Sequence, residues 1–200
     1  MLDLQRFCAL NDDPRTYLQK PWRDGEWMYA TNGHICVRVP FDGTADMPTR
    51  DRHPDTDALF RKWAAAKTEG FEPLPSVAAG TVCDACHGRK LFKCDECESC
   101  KGEGAFPWHG LMYDCKWCEG SLVGEGHVVS DDGDLELPCV KCWGRGLQMQ
   151  EEPLGESRFE LAYLKWCTEL PGIAYRTHGK EGPALMKFDG GELLLMPRRF

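Results

Sequence analysis

The sequence lacks any run of 18 apolar residues, so no membrane-spanning helix is expected. Met1 to Leu10 lacks the basic-then-apolar pattern of a secretory leader, so export is not expected. There is no Ser/His/Asp order of a hydrolase, no glycine-rich phosphate loop and no His-Glu-x-x-His helix. The expectation is therefore a protein that is not an enzyme. Positive charge is also short. The chain has 24 Lys and Arg against 32 Asp and Glu, a net charge of −8. Duplex binding needs Lys and Arg to neutralise phosphates, so nucleic acid is not a favoured partner. With 42% apolar and 28% charged residues, the composition suits a folded chain and excludes a disordered tail.

What the sequence has in excess is cysteine, 12 in 200 residues. Nine of the twelve fall between Cys83 and Cys142, mostly as Cys-x-x-Cys. A disulfide scaffold spreads its cysteines through a short secreted chain. This clustering points instead to metal ligation in a reducing, cytoplasmic setting. The segment 83–146 carries 7 basic and 12 acidic side chains.

Four units carry the metal reading: Cys83-Asp-Ala-Cys86-His-Gly88, Cys97-Glu-Ser-Cys100-Lys-Gly102-Glu-Gly104, Cys115-Lys-Trp-Cys118-Glu-Gly120 and Cys139-Val-Lys-Cys142-Trp-Gly144-Arg-Gly146. A two-residue gap lets one tight turn aim both sulfurs at one ion, and the glycine that follows allows positive φ. Two such turns complete a tetrahedral shell of four thiolates. Four units predict two zinc ions. Closed all-cysteine shells predict a structural role, since a catalytic zinc keeps an open position. Cys94 is spare. It offers Cys94-x-x-Cys97 as an alternative unit, but Gly102 and Gly104 favour Cys97 with Cys100, leaving Cys94 a bystander thiol. His87, His109 and His127 are weaker substitutes as ligands. Cys8, Cys36 and Cys167 sit in apolar patterns and are expected in a core.

This block resembles the cysteine-rich domain of DnaJ-type chaperones, with its four Cys-x-x-Cys-x-Gly-x-Gly motifs. Units two and four match in full. Lys90 and Leu122 stand where the last glycine of units one and three belongs, which implies looser turns there. The resemblance implies nested pairing: Cys83, Cys86, Cys139 and Cys142 as one site, and Cys97, Cys100, Cys115 and Cys118 as the other. Spacing alone leaves sequential pairing open. The resemblance also implies a chaperone-like alternative, in which the finger holds unfolded polypeptide. His53-Pro54-Asp55 matches the tripeptide by which J-domains stimulate their ATPase partner. However, Pro40, Gly43 and Pro48 exclude the continuous basic helix that precedes it in J-domains.

The flanks read as one α+β base domain, residues 1–79 with 149–200, into which a cysteine-rich domain, 80–148, is inserted. Glu69 to Gly80 and Leu147 to Glu156 read as linkers. The base is expected to contain two helix–strand–hairpin halves. The first has a helix over Asp3 to Leu10, a strand over Thr16 to Lys20, and a hairpin from Trp27 to Val39 turning at Asn32-Gly33. The second has a capping box at Ser157-x-x-Glu160, a helical stripe of Phe159, Tyr163, Trp166 and Leu170, and a strand from Ile173 to Thr177. It ends in a hairpin from Ala184 to Met196, turning at Asp189-Gly190. A further helix over Thr56 to Lys67 places Leu59, Phe60, Trp63 and Ala66 on one face. Ala30-Thr31-Asn32-Gly33-His34 and Leu195-Met196-Pro197-Arg198-Arg199-Phe200 resemble segments of a bacterial sliding DNA clamp domain. That resemblance implies that Met196, Pro197 and Arg198 help to form a pocket for partner peptides. It also offers a clamp-related replication accessory as an alternative function.

The function expected is that of a zinc-binding protein-interaction module with a protein partner and no membrane. Phe92, Phe106, Trp108, Tyr113, Trp117 and Trp143 could stack on bases, pack the finger or grip apolar side chains. Trp108 and Trp117 are the candidate finger contacts.

Overall fold

The computed structural model describes residues 2–10, 13–43, 47–49, 54–66, 70–119 and 123–198. In chain order its strands and helices are β1 (Trp22–Asp24), β2 (Trp27–Thr31), β3 (Ile35–Pro40), α1 (Thr56–Ala65), β4 (Glu72–Pro73), β5 (Leu91–Glu96), β6 (Ala105–Trp108), β7 (Leu111–Asp114), β8 (His127–Val129), β9 (Leu135–Pro138), β10 (Glu151–Leu154), β11 (Ser157–Glu160), α2 (Leu161–Thr168), β12 (Ala174–Thr177), β13 (Ala184–Phe188) and β14 (Gly191–Leu195). The chain forms two compact units, residues 1–78 with 151–200 and residues 79–150. Among the described residues the content is mostly sheet with two α-helices, an α+β arrangement.

The larger unit is built on a seven-stranded antiparallel sheet in the order β1-β2-β3-β14-β13-β12-β4. Both predicted hairpins are present. At the middle of the sheet Val37 pairs with Leu193 and Cys36 with Leu194, so β3 and β14 meet antiparallel. The two meanders, β1–β3 and β12–β14, run outward from that seam. Alternation along the strands divides the side chains between two faces. Ala30, Val37, Met186, Leu193 and Leu195 pack with Phe7 and with Tyr163, Leu164 and Cys167 of α2. Tyr29, Leu185 and Leu194 pack on the other face with Trp22 and with Phe60 of α1. Burying a ring such as Phe60 contributes about 2–3 kcal/mol.

Arg38 lies on the α1 face, only 8% exposed. Its Nε donates to Glu192 at 2.9 Å and its Nη1 to Asp57 at 3.1 Å. Its guanidinium lies 4.4 Å from the Trp27 ring centroid and 4.3 Å from that of Phe60. One buried cation thus ties β3, β14 and α1 together.

Several local expectations are corrected. Asp3 does cap the first helix, accepting from the Gln5 amide at 3.0 Å, but that helix is a single 3-10 turn, Leu4–Phe7. Thr16–Leu18 is another 3-10 turn rather than a strand, and the strand follows at Trp22. Ser157 and Glu160 form no capping box. They lie in β11, paired with β10, and the Ser157 hydroxyl donates to the Gly179 carbonyl at 2.6 Å. Phe159 is therefore a buried strand residue, and α2 begins at Leu161. Neither supposed linker is free of structure: β4 pairs with β12 at the sheet edge, and β10 lies within the second. Along α1, Phe60 is buried and Trp63 packs partly against it, but Leu59 is 44% exposed. Asp55 caps α1 through the Ala58 amide at 3.1 Å. His53, Asn11 and Lys67 lie outside the described residues.

The smaller unit contains the three-stranded sheet β8-β5-β9 and the hairpin β6-β7. Its ends meet where Val82 bridges Leu147 and the Gln148 amide donates to the Thr81 carbonyl at 2.8 Å. Among the described residues no helix is long and apolar enough to cross a membrane.

Candidate metal centres and an apolar cavity

The four cysteine turns come together in two groups. One contains Cys83, Cys86, Cys139 and Cys142, the other Cys97, Cys100, Cys115 and Cys118. Within each group the four sulfurs lie within 4.8 Å of one another, and all eight residues are buried. This is the nested arrangement. The Sγ···Sγ distances are 3.9 Å for Cys83–Cys139, 3.6 Å for Cys86–Cys142, 3.7 Å for Cys97–Cys115 and 3.8 Å for Cys100–Cys118. A tetrahedron with Zn–S bonds near 2.3 Å has edges of about 3.8 Å. The spacing fits zinc and is far too long for a disulfide. All twelve cysteines are free thiols.

Backbone bonds lock the facing turns reciprocally. In the first group the Cys83 amide donates to Gly146 O (2.9 Å) and the Cys139 amide to Lys90 O (2.8 Å). In the second, the Cys115 amide donates to Gly104 O (2.8 Å) and the Cys97 amide to Gly126 O (2.7 Å). Amides also reach the sulfurs, Gly104 to Cys100 at 3.3 Å and Gly146 to Cys142 at 3.2 Å. Such donors favour the thiolate. Burial pushes Cys118 up to about 12 against the opposing amide of Gly126. Burial also raises Cys83, but the amides of Cys86 and Ala85 outweigh it and hold this thiol at about 7. Cys115 is likewise held at about 7, burial being outweighed by the amides of Trp117 and Cys118.

One sequence expectation about the turns needs revision. Lys90 does not loosen unit one. It takes φ +72°, a left-handed conformation, and keeps the carbonyl aimed at Cys139. In unit three, Gly120 and Leu122, where the other looser turn is expected, lie outside the described residues, and the carbonyl that accepts from the Cys97 amide is that of Gly126. The missed signal is Gly124-Glu-Gly126, which repeats the Gly-x-Gly of units two and four four positions late.

The metal would supply cross-links where apolar packing is thin. The second group is a buried cluster composed of its four cysteines alone. The first adds little beyond Phe92, Cys94 and Val123. Cys94 belongs to neither group and lies on β5, its Sγ 3.7 Å from Leu135 O. Burial, then the Asp95 carboxylate, raises its thiol. His87, His109 and His127 are in neither group; His127 Nδ1 faces Glu125 O at 3.1 Å. Phe92 is buried, whereas Trp108 and Trp117 are 61% and 80% exposed, and Phe106, Tyr113 and Trp143 are exposed as well.

The larger unit carries a cavity of about 280 Å³. Leu18, Ile35, Leu59, Leu194 and Met196 give it an apolar wall, and Arg15, Gly33 and His34 border it. The segments Ala30–His34 and Leu195–Arg198 meet here, the Met196 amide donating to the His34 carbonyl at 2.8 Å. Arg15 is fixed by Asp13, Nε to Oδ1 at 2.9 Å, and also donates to the Asn32 carbonyl at 3.2 Å. The Arg15 hydrogen bond holds the Asp13 carboxyl below the usual carboxylate range. The His34 ring stacks on Tyr163. Thr56 also lines the cavity, and its buried hydroxyl has no hydrogen-bond partner among the described residues. Pro197 is buried, and Arg198 turns to Glu151 and Glu160, at 3.3 and 3.5 Å. Of the three C-terminal candidates, only Met196 lines the cavity; Arg199 and Phe200 lie outside the described residues.

Comparisons with protein families, curated proteins and solved structures find no match to this chain.

Proposed function

We propose that this protein is a non-enzymatic interaction module: the cavity of the larger unit takes the apolar anchor of a partner's peptide, and two zinc ions hold the smaller unit folded. The observation that carries the reading is the cavity itself. A concave site with an apolar wall and a few fixed polar groups is the usual form of a small-ligand or anchor pocket. Arg15 is held at its border by Asp13, so little ordering is required when an occupant arrives. The resemblance of Ala30–His34 and Leu195–Arg198 to a sliding clamp domain supports a peptide as that occupant. The nested cysteine pairing supports a DnaJ-type finger, and eight ligand thiols suit a reducing, cytoplasmic setting.

The test is fluorescence anisotropy with a panel of labelled pentapeptides, each carrying two Leu or Phe side chains. At least one peptide should bind with Kd below about 100 µM. Leu59→Asp and Met196→Glu, both at exposed positions, should weaken it by about tenfold or more while two zinc ions are retained. No binder in the panel, or full binding by both variants, would refute the cavity as the partner site.

A further inference from the structure

The hairpin of the zinc unit presents a second surface. His109 and Gly110 turn it with φ of +48° and +77°, the two-residue turn that suits strand twist. The pairs Phe106↔Tyr113 and Trp108↔Leu111 then lie on one face. All four side chains are between 43% and 63% exposed. Met112 and Asp114 lie on the other face, also exposed. No further strand pairs with either edge among the described residues.

The two edges differ. In a two-residue hairpin the residues flanking the turn exchange hydrogen bonds, so Trp108 bonds Leu111 and the next such pair is Phe106 with Tyr113. The intervening residues aim their amides and carbonyls outward. On β6 these are Ala105 and Pro107, and Pro107 has no amide hydrogen, which blunts that edge. On β7 they are Met112 and Asp114, both able to donate. The open edge is therefore β7, with Leu111 and Tyr113 along one side of it and Asp114 on the other.

Charge selects the occupant. The unit carries 7 basic and 12 acidic side chains before its thiolates are counted. A second copy would bring like charge against like, and an acidic segment would meet the same repulsion. The geometry points to a cationic, apolar polypeptide segment that adds to β7 as an extended strand, its alternate apolar side chains on Leu111 and Tyr113 and a basic residue beside Asp114. This is strand addition, in which main-chain bonds give affinity and alternate side chains give selectivity. The site is distinct from the cavity of the larger unit and does not depend on it.

The test uses the full zinc-loaded chain and a labelled nonapeptide alternating Val with Lys. Binding should fall by about tenfold or more when Lys is replaced by Glu. It should fall equally for a peptide N-methylated on alternate residues in one of the two phases, because strand addition uses one set of amides. Met112→Pro removes an outward donor at an edge position that tolerates proline, so it should abolish binding while two zinc ions remain. Met196→Glu should leave binding unchanged. Equal binding by the Lys and Glu peptides, or by both N-methylated phases and the parent, would overturn the proposal. So would unchanged binding by a zinc-replete Met112→Pro chain. If that variant loses zinc, the N-methylated pair on the wild-type chain decides alone.

Discussion

Gly126 packs directly on the backbone of Gly102: a Cβ at position 126 would fall well inside van der Waals contact of the Gly102 carbonyl. The two glycines belong to opposite turns of the second cysteine group, and Gly126 also has φ +81°. Backbone atoms cannot yield as a flexible side chain can. Gly126→Ala should therefore disrupt this group selectively. Native mass spectrometry should show one zinc ion per chain instead of two, with the Cys83 group still loaded. Full double occupancy would show that the contact is not needed.

Lys90 makes the opposite case. At φ +72° it bears the left-handed cost of an L-residue, about 1–2 kcal/mol, where a glycine bears none. Lys90→Gly gives part of this back in unfolded-chain entropy, so a net gain of about 0.5–1 kcal/mol is expected. The variant should hold its zinc against a chelator longer than the parent. Faster release would show that the Lys90 side chain contributes more than its backbone costs.

The sequence revealed most where chemistry is local. Gly33 at φ +92° and Gly190 at φ +99° mark their hairpins because positive φ admits few residues, and four cysteine turns declare their ligands by spacing. It misled where one local pattern serves two structures. Ser157-x-x-Glu160 satisfies the rule for a helix start, yet pairing with Glu151–Leu154 and the bond to Gly179 place it in a strand. Gly126 escaped because its Gly-x-Gly lies four residues late, and the cavity escaped because Leu18, Leu59 and Met196 are far apart in the chain. Their meeting is a property of the sheet, not of any segment.

Arg38 is predicted to be the most sensitive polar position of the base. Arg38→Met would take the buried cation from Glu192 and Asp57, leaving them only the exposed Lys187, at 3.6 Å, and Arg61, at 2.9 Å. Removing one partner of a buried ion pair typically costs about 3–5 kcal/mol. Urea unfolding should register most of that loss, and adding Glu192→Leu should recover a large part of it. A change below about 1 kcal/mol would show that solvent already screens the cluster.

Thiol reactivity separates the cysteines by environment. Burial, then the Asp3 charge, pushes Cys8 up to about 12. Burial dominates for Cys36 and Cys167, which also rise to about 12. A raised thiol stays protonated at pH 8 and does not attack alkylating agents. Its contribution to stability is complete below the usual value of 9.0 and declines as pH rises towards 12. With zinc bound, no thiol should label quickly at pH 8. A chelator should expose the eight ligands and, with them, Cys94, which packs in the same cluster as the first group, while Cys8 and Cys167 should still require denaturant. Fast labelling of Cys8 or Cys167 in the native protein would contradict the core packing.

The most direct measurement is native mass spectrometry of the freshly reduced full chain, alone and as Cys83→Ser and Cys139→Ser. Two zinc ions per chain are predicted, with each variant losing one ion and the double variant losing no more than either. One ion or none in the parent, or loss of separate ions by the two single variants, would contradict the paired four-cysteine centres.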